Sequence, residues 1–190
     1  MTKRVSLSEK KILRKFLTNR RSELSAIYES KNNAHIHLQP LIQNIKNEII
    51  GTYINFRNEL DTKKLNQYLI KQNINIALPI IDFENQEMNF FKYDDNTELV
   101  KNKYCILEPK YQEQIIFPKK ILIPLLGYSL NGQRLGYGGG YYDKYFAKHG
   151  EQVQKIGLGF TFQEVKDLPT EKHDVRLDWI LSEKHLYKVR

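Results

Sequence analysis

The chain contains a single cysteine, Cys105, so no internal disulfide can close and no cysteine cage for a metal exists. Its neighbours in Lys-Tyr-Cys-Ile-Leu are apolar, which predicts a buried, inert thiol rather than a nucleophile. No apolar run approaches the roughly 18 residues of a membrane-spanning helix. No apolar core of signal-peptide length lies near the N-terminus, so a cytoplasmic chain is expected. The five histidines are not spaced as a metal site, and His35 and His37, set in a polar stretch, are expected at the surface. Glycine is scarce as well. Of ten in the chain, five fall between Gly132 and Gly140.

What is present is ordinary for a folded domain: 190 residues, 41% hydrophobic and 27% charged. We expect one domain over residues 1–190 with a real core. The net charge of +8 is local, because residues 1–21 carry eight Lys or Arg and one acid, Glu9, and the rest is close to neutral. A basic arm for nucleic acid is one interpretation. The same segment is also a good helix, with an S-x-x-E capping box at Ser6 and Glu9 and with Leu13, Phe16, Leu17 and Leu24 at helical spacing. Lys10 and Arg14 then stack four residues apart at the border of the apolar stripe, where a cation can reach into a cleft. Lys3, Lys11 and Lys15 are expected to solvate the outer face, and a wholly solvated basic helix remains open.

Apolar runs at 49–56, 74–81, 88–93, 121–126, 153–160 and 179–181 read as strands, with helices expected from about 61 to 71 and from 141 to 148. This alternation predicts an α/β fold, a sandwich with helices on both faces of the sheet. In such sheets ligands collect at the carboxyl ends of strands.

The densest chemical signal is Asn131-Gly-Gln-Arg-Leu-Gly-Tyr-Gly-Gly-Gly-Tyr-Tyr-Asp143, between the run at 121–126 and the helix from 141. A backbone without Cβ atoms can turn successive N–H groups into one concavity, and a helix N-terminus beyond it adds to the field on an anion. Arg134 supplies a planar donor for phosphate oxygens, and Asp143 a carboxylate for a metal that bridges them. A flexible turn lined by packed tyrosines is the plain alternative. The loop is not a Walker motif, since no Lys-Ser or Lys-Thr follows the glycines, and Tyr141 breaks the dinucleotide pattern.

The stretch from Ile123 to Lys144 resembles the signature of the 5-formyltetrahydrofolate cyclo-ligase family, also called methenyltetrahydrofolate synthetases. Lys10-Lys-Ile-Leu-Arg14, Tyr53-Ile54 with Glu59, Leu78-Pro79, Met88, Glu108-Pro109, Leu168-Pro169, His173-Asp174 and Asp178 resemble further landmarks of that family in the same order. The resemblance implies a Rossmann-like three-layer α/β/α sandwich with a mostly parallel sheet. It also implies ATP-driven closure of 5-formyltetrahydrofolate to 5,10-methenyltetrahydrofolate, through a phosphorylated formyl group. ATP and Mg²⁺ would be the cofactors and the folate, with or without a polyglutamate tail, the small-molecule partner. A monomer without membrane or nucleic-acid partners is expected.

By the same resemblance, Lys10, Lys11, Ile12, Leu13 and Arg14 would meet ATP from the first helix. Arg134, Leu135, Gly136, Tyr137, Gly138, Gly139, Gly140, Tyr141 and Tyr142 would wrap the triphosphate. Arg134, Tyr137 and Tyr141 would serve the chemistry. Ile54 and Glu59 would take the pterin, together with the loop from Tyr137 to Tyr141, and Asp143 and Asp174 would bind Mg²⁺. Each has a plainer alternative: Asp174 a turn cap, Glu59 a surface acid, Ile54 core, and the tyrosines packing. The chain departs from the family where Gly127-Tyr128-Ser129 replaces a frequent Ala-Phe-Asp, and where Lys119-Lys120 stand in place of a frequent Asp. Two rivals stay open: a nucleic-acid module with tyrosine stacking platforms, and another ATP- or sugar-phosphate-binding enzyme on the same sandwich.

Overall fold

The apolar run that starts at Ile121 becomes the middle of the sheet because it is buried on both sides. In this strand Ile121, Leu122 and Ile123 are each almost wholly inaccessible, as expected where helices cover both faces. The computed structural model describes residues 7–43, 45, 48–171 and 174–189. The expected cap at Ser6, the lysine at Lys3 and the landmark His173 lie outside them.

In chain order the helices are α1 (Leu7–Glu29), α2 (Ala34–His37), α3 (Gln39–Ile42), α4 (Lys63–Lys71) and α5 (Tyr141–His149). The strands are β1 (Ile49–Gly51), β2 (Asn75–Asp82), β3 (Glu87–Tyr93), β4 (Leu99–Lys101), β5 (Leu107–Pro109), β6 (Ile115–Ile116), β7 (Lys120–Pro124), β8 (Gly127–Tyr128), β9 (Arg134–Leu135), β10 (Gln154–Leu158), β11 (Trp179–Leu181) and β12 (Leu186–Lys188). Eight strands form one sheet in the order β12-β11-β10-β7-β1-β2-β3-β6. The run from β11 to β2 is parallel, and β12, β3 and β6 are antiparallel at the margins. The expected three-layer α/β sandwich is therefore observed.

Alternation along each strand builds two cores. Ile50, Ile76, Leu122 and Ile156 point to one face, under Ala34 of α2, Leu38 between α2 and α3, and Leu65 and Leu69 of α4. Ala77, Ile121, Ile123 and Ile180 point to the other, under Tyr145 and Phe146 of α5. Among the described residues no helix is long and apolar enough to cross a membrane.

Two features place a site. From β1 the chain moves outward through α4 to β2, whereas from β7, on the other side of β1, it moves through α5 to β10. The strand order thus reverses between β1 and β7, and the crevice at such a switch point is where open α/β sheets bind ligands. The stretch from Thr52 to Glu59 leaves the end of β1, and Leu125 leads from the end of β7 into the β8–β9 hairpin and the glycine loop. Meanwhile α1 lies over this loop: Leu13 and Leu17 pack with Leu126, Leu135 and Leu168 in a third, smaller core. Burying a leucine such as Leu17 contributes about 1.5–3 kcal/mol to that docking.

Several local expectations are corrected. Cys105 is exposed, with φ +59°, in the turn between β4 and β5, so its apolar neighbours do not bury it. Phe16 is 58% exposed and does not belong to the inner stripe of α1. His35 is half-buried, its ring edge-on to Tyr68, and desolvation lowers its pKa. The strand expected over 49–56 stops at Gly51, because Thr62 Oγ1 and Asn66 Nδ2 donate to the Tyr53 carbonyl and pull the chain away from the sheet.

Candidate functional site

Helix α1 presents Lys10, Arg14, Leu17 and Arg21 on one side, at the 3–4-residue spacing of a helical face. This is the inward side. Lys10 is 4% exposed and Arg21 1%, whereas the apolar Ile12 is 70% exposed. Of the helical positions that the resemblance singled out, Lys10, Leu13 and Arg14 face inward, and Lys11 and Ile12 face solvent. A buried lysine or arginine is rare unless paired or bound to something.

The partners are specific. Lys10 Nζ donates to Asp174 Oδ2 at 2.7 Å and lies 3.4 Å from Glu171. Arg14 Nε donates to the Gly136 carbonyl at 3.0 Å. Arg134 Nη2 donates to Asp143 Oδ1 at 2.8 Å and Arg134 Nη1 to the Val175 carbonyl at 2.5 Å. The Val175 N–H donates back to Asp143 Oδ1 at 3.1 Å. Asp143 therefore tethers the segment that carries Asp174. Asp174 also accepts the Glu171 N–H at 2.7 Å, so it is a turn cap and an ion-pair partner at once.

The loop itself needs its glycines at defined points. Gly138 has φ +104°, and a Cβ there would stand 3.3 Å from the guanidinium carbon of Arg14. Gly140, at φ +70°, is the N-cap of α5, whose first turn carries Asp143. A nine-residue helix thus opens directly beyond an exposed glycine backbone flanked by Arg14. Such a place favours the oxygens of a phosphate, through free N–H groups, the helix field and a fixed guanidinium. At Gly127 the space of a Cβ is taken by Leu17 Cδ1, 2.8 Å from where it would lie, so this departure from the family pattern is filled by α1.

The β1 side supplies the second half. Glu59 is buried, and its Oε1 accepts the hydroxyl of Tyr137 from the glycine loop. Its Oε2 accepts the Phe56 N–H at 2.7 Å. Burial raises the Glu59 pKa above the ordinary carboxyl value, and the bonds from Tyr137 and Phe56 and the charge of Arg21 oppose that rise. The hydroxyls of Tyr53, Tyr137 and Tyr142 are all raised, chiefly by burial and then by the Glu59 charge. These phenols stay protonated, so Tyr137 donates to Glu59 and does not act as a base. The Tyr53 hydroxyl is buried without a hydrogen-bond partner among the described residues. Ile54 is half-buried beside it, and Tyr141 sets its ring edge-on to Phe83, 6.4 Å between centroids.

The structure therefore brings together Lys10, Arg14, Glu59, Arg134, Tyr137, Asp143 and Asp174 around one loop. Arg21, absent from the sequence-based set, belongs with them. Its spacing from Lys10, Arg14 and Leu17 was the available signal.

Comparison with known proteins agrees over most of the chain. Residues 6–183 match the model of the 5-formyltetrahydrofolate cyclo-ligase family. The 5-formyltetrahydrofolate cyclo-ligase of Haemophilus influenzae is 32% identical over 169 residues, covering 85% of this chain and 90% of that protein. The solution structure of Aquifex aeolicus 5,10-methenyltetrahydrofolate synthetase superposes with a TM-score of 0.76 at 25% identity, covering 95% of this chain and 93% of the other. A 5,10-methenyltetrahydrofolate synthetase from Mycoplasma pneumoniae gives a TM-score of 0.67 at 26% identity, covering 92% and 98%. With a glycine loop and a buried carboxylate meeting at the switch point of the same sheet, the chain belongs to the 5-formyltetrahydrofolate cyclo-ligase family.

Proposed function

We propose that the chain closes 5-formyltetrahydrofolate to 5,10-methenyltetrahydrofolate at the expense of ATP. The supporting observation is the contact between Tyr137 of the glycine loop and Glu59, which joins a phosphate-type cradle to a buried hydrogen-bond acceptor. A pterin ring presents an amide N–H and an amino group on one edge, and a carboxylate with two oxygens suits that edge. In this proposal Glu59 takes that edge, Ile54 packs on the ring, and Tyr137 and Tyr141 border the formyl group.

The formyl oxygen is a poor leaving group until it carries a phosphoryl group. Its lone pair takes the γ-phosphoryl as the bond to ADP breaks. N10 then attacks the formyl carbon, loses its proton, and the carbon–oxygen bond breaks to release phosphate. Such chemistry rests on positioning and charge neutralisation, not on a protein nucleophile. Lys10, Arg14 and Arg134, with the backbone from Leu135 to Tyr142, would hold the phosphates.

The residues present fit ATP, because Gly138 leaves the space beside Arg14 that a Cβ would take. They fit Mg²⁺ in a limited sense. No group of three or more His, Cys, Asp or Glu gathers among the described residues, and Mg²⁺ commonly takes only one or two carboxylates and fills its shell with phosphate oxygens and water. Asp143 and Asp174 are the carboxylates in place. When bound, the ion would neutralise charge on the transferring group. In the free protein these two acids are paired with Arg134 and Lys10, so the arriving phosphates and cation would exchange partners with them.

A cytoplasmic monomer acting on a small molecule is the accompanying proposal. The burial of Lys10 and Arg21 supports it over a nucleic-acid module, since those charges do not form a surface patch. The test is to mix protein, Mg-ATP and 5-formyltetrahydrofolate and follow the ultraviolet absorbance of the methenyl product. A stoichiometric rise with ADP release is expected. No product, with or without salt-sensitive oligonucleotide binding, would overturn the assignment.

A further inference from the structure

Arg21 is among the largest side chains buried completely, and hydrogen bonds leave part of it unmet. Nη2 donates to the Arg57 carbonyl at 2.8 Å and Nη1 reaches the Leu125 carbonyl at 3.4 Å, but Nε has no partner among the described residues. The guanidinium carbon lies 5.3 Å from the ring centroid of Tyr137. Carbonyl dipoles alone seldom justify a fully buried cation. The carboxylate that acts on it is Glu59.

The places it grips are informative. Arg57 and Asn58 are consecutive non-glycine residues in the left-handed region, with φ of +46° and +59°. That is an uncommon backbone and holds only where its surroundings enforce it. This turn, closed by the Glu59 N–H on the Phe56 carbonyl at 3.2 Å, is the one that carries Glu59. Leu125 lies where β7 leads towards the glycine loop. One side chain from α1 thus joins the two strand ends that form the site.

We propose that Arg21 is a positioning residue: it clamps the turn that presents Glu59 to the strand end beneath the glycine loop, and it supplies the positive charge opposite Glu59. The carboxylate is thereby held as a preorganised acceptor beneath Tyr137. The groups facing Glu59 are Arg21 from α1, Tyr137 from the loop, Tyr53 after β1, Tyr142 from α5 and the Phe56 N–H. Arg21 is the only one of these with a positive charge. Removing it leaves only the bonds from Tyr137 and Phe56 to oppose burial, so the titration of Glu59 moves to higher pH.

The role of Glu59 towards folate rests on the proposed function, so the test needs a readout independent of turnover. In protein labelled with ¹³C-glutamate, the Glu59 carboxyl signal is identified by its loss in Glu59→Gln. In Arg21→Met it should titrate measurably higher than in the wild type. The acid limb of kcat/KM for the folate should move by a similar amount. KM for the folate should rise about tenfold while kcat stays within about threefold and KM for ATP is unchanged. Arg21→Lys keeps the charge and loses the fork, so its limb should stay near the wild type while KM for the folate still rises.

A folded Arg21→Met in which the Glu59 signal titrates as in the wild type overturns the inference, whatever happens to KM. If Arg21→Met does not fold, Arg21→Lys decides, and a wild-type KM for the folate in that variant overturns it. A wild-type KM in Glu59→Gln would instead overturn the pterin role of Glu59 and leave the Arg21–Glu59 coupling standing.

Discussion

Helices α1 and α4 lie on the same chain and follow opposite rules. In α4 the buried positions are Leu65, Asn66 and Leu69, and Lys63, Lys64 and Lys71 stand in solvent, as an amphipathic surface helix should. In α1 the inward side carries Lys10 and Arg21 beside Leu17, while Ile12, Phe16 and Ile27 are exposed. Helix α4 is held by packing and serves the sheet. The arrangement in α1 spends solvation of charge to hold cations under a loop, and a fold tolerates that only where the cations meet partners. A basic segment read by net charge alone looks like a surface arm, but the faces show that Lys10 and Arg21 point inward while Lys11 and Lys15 stand in solvent.

The sharpest way to break this contrast is Arg14→Ala. We expect kcat/KM for ATP to fall about 10²–10³-fold, the order seen when one preorganised donor to a reacting group is lost. The thermal transition should hardly move, and a fall that tracks the unfolded fraction would show that Arg14 serves packing only. Next in size is Leu69→Ala in α4, measured by urea unfolding. It should cost about 2–5 kcal/mol of stability, while the kinetics of the folded fraction remain those of the wild type. Altered kinetics in that fraction would mean that α4 also shapes the site. The smallest effect belongs to Phe16→Gln on the outer side of α1. Stability should stay within about 0.5 kcal/mol and activity unchanged. A larger loss would place a contact on a face that the structure leaves open.

Much of the sheet was legible because its strands are rich in apolar residues: 74–81, 88–93, 121–126 and 179–181 each map to a strand within a residue or two. Short strands were not, since two residues such as Ile115–Ile116 or Arg134–Leu135 carry no periodicity. The early end of β1 was illegible for another reason. Tyr53 and Ile54 are apolar and strand-like, but buried hydroxyl and amide groups on α4 and its cap redirect the backbone. The candidate site was legible wherever glycine and charge were dense. Glu59 could have been a surface acid by its neighbours alone, and its burial emerges only from the fold. Arg21 sits in an Arg-Arg pair, where charge does not tell which member turns inward, yet the helical spacing from Lys10 does.

The turn between β4 and β5 leaves its cysteine in solvent, next to a chain of rings. Tyr104 packs on Phe83 at 5.1 Å between centroids, and Phe83 on Tyr141 at 6.4 Å. The unaltered sequence therefore offers one thiol for a fluorophore, a few side chains away from the glycine loop. A single label at Cys105 would report ligand arrival optically, with no engineered cysteine to introduce and none to remove.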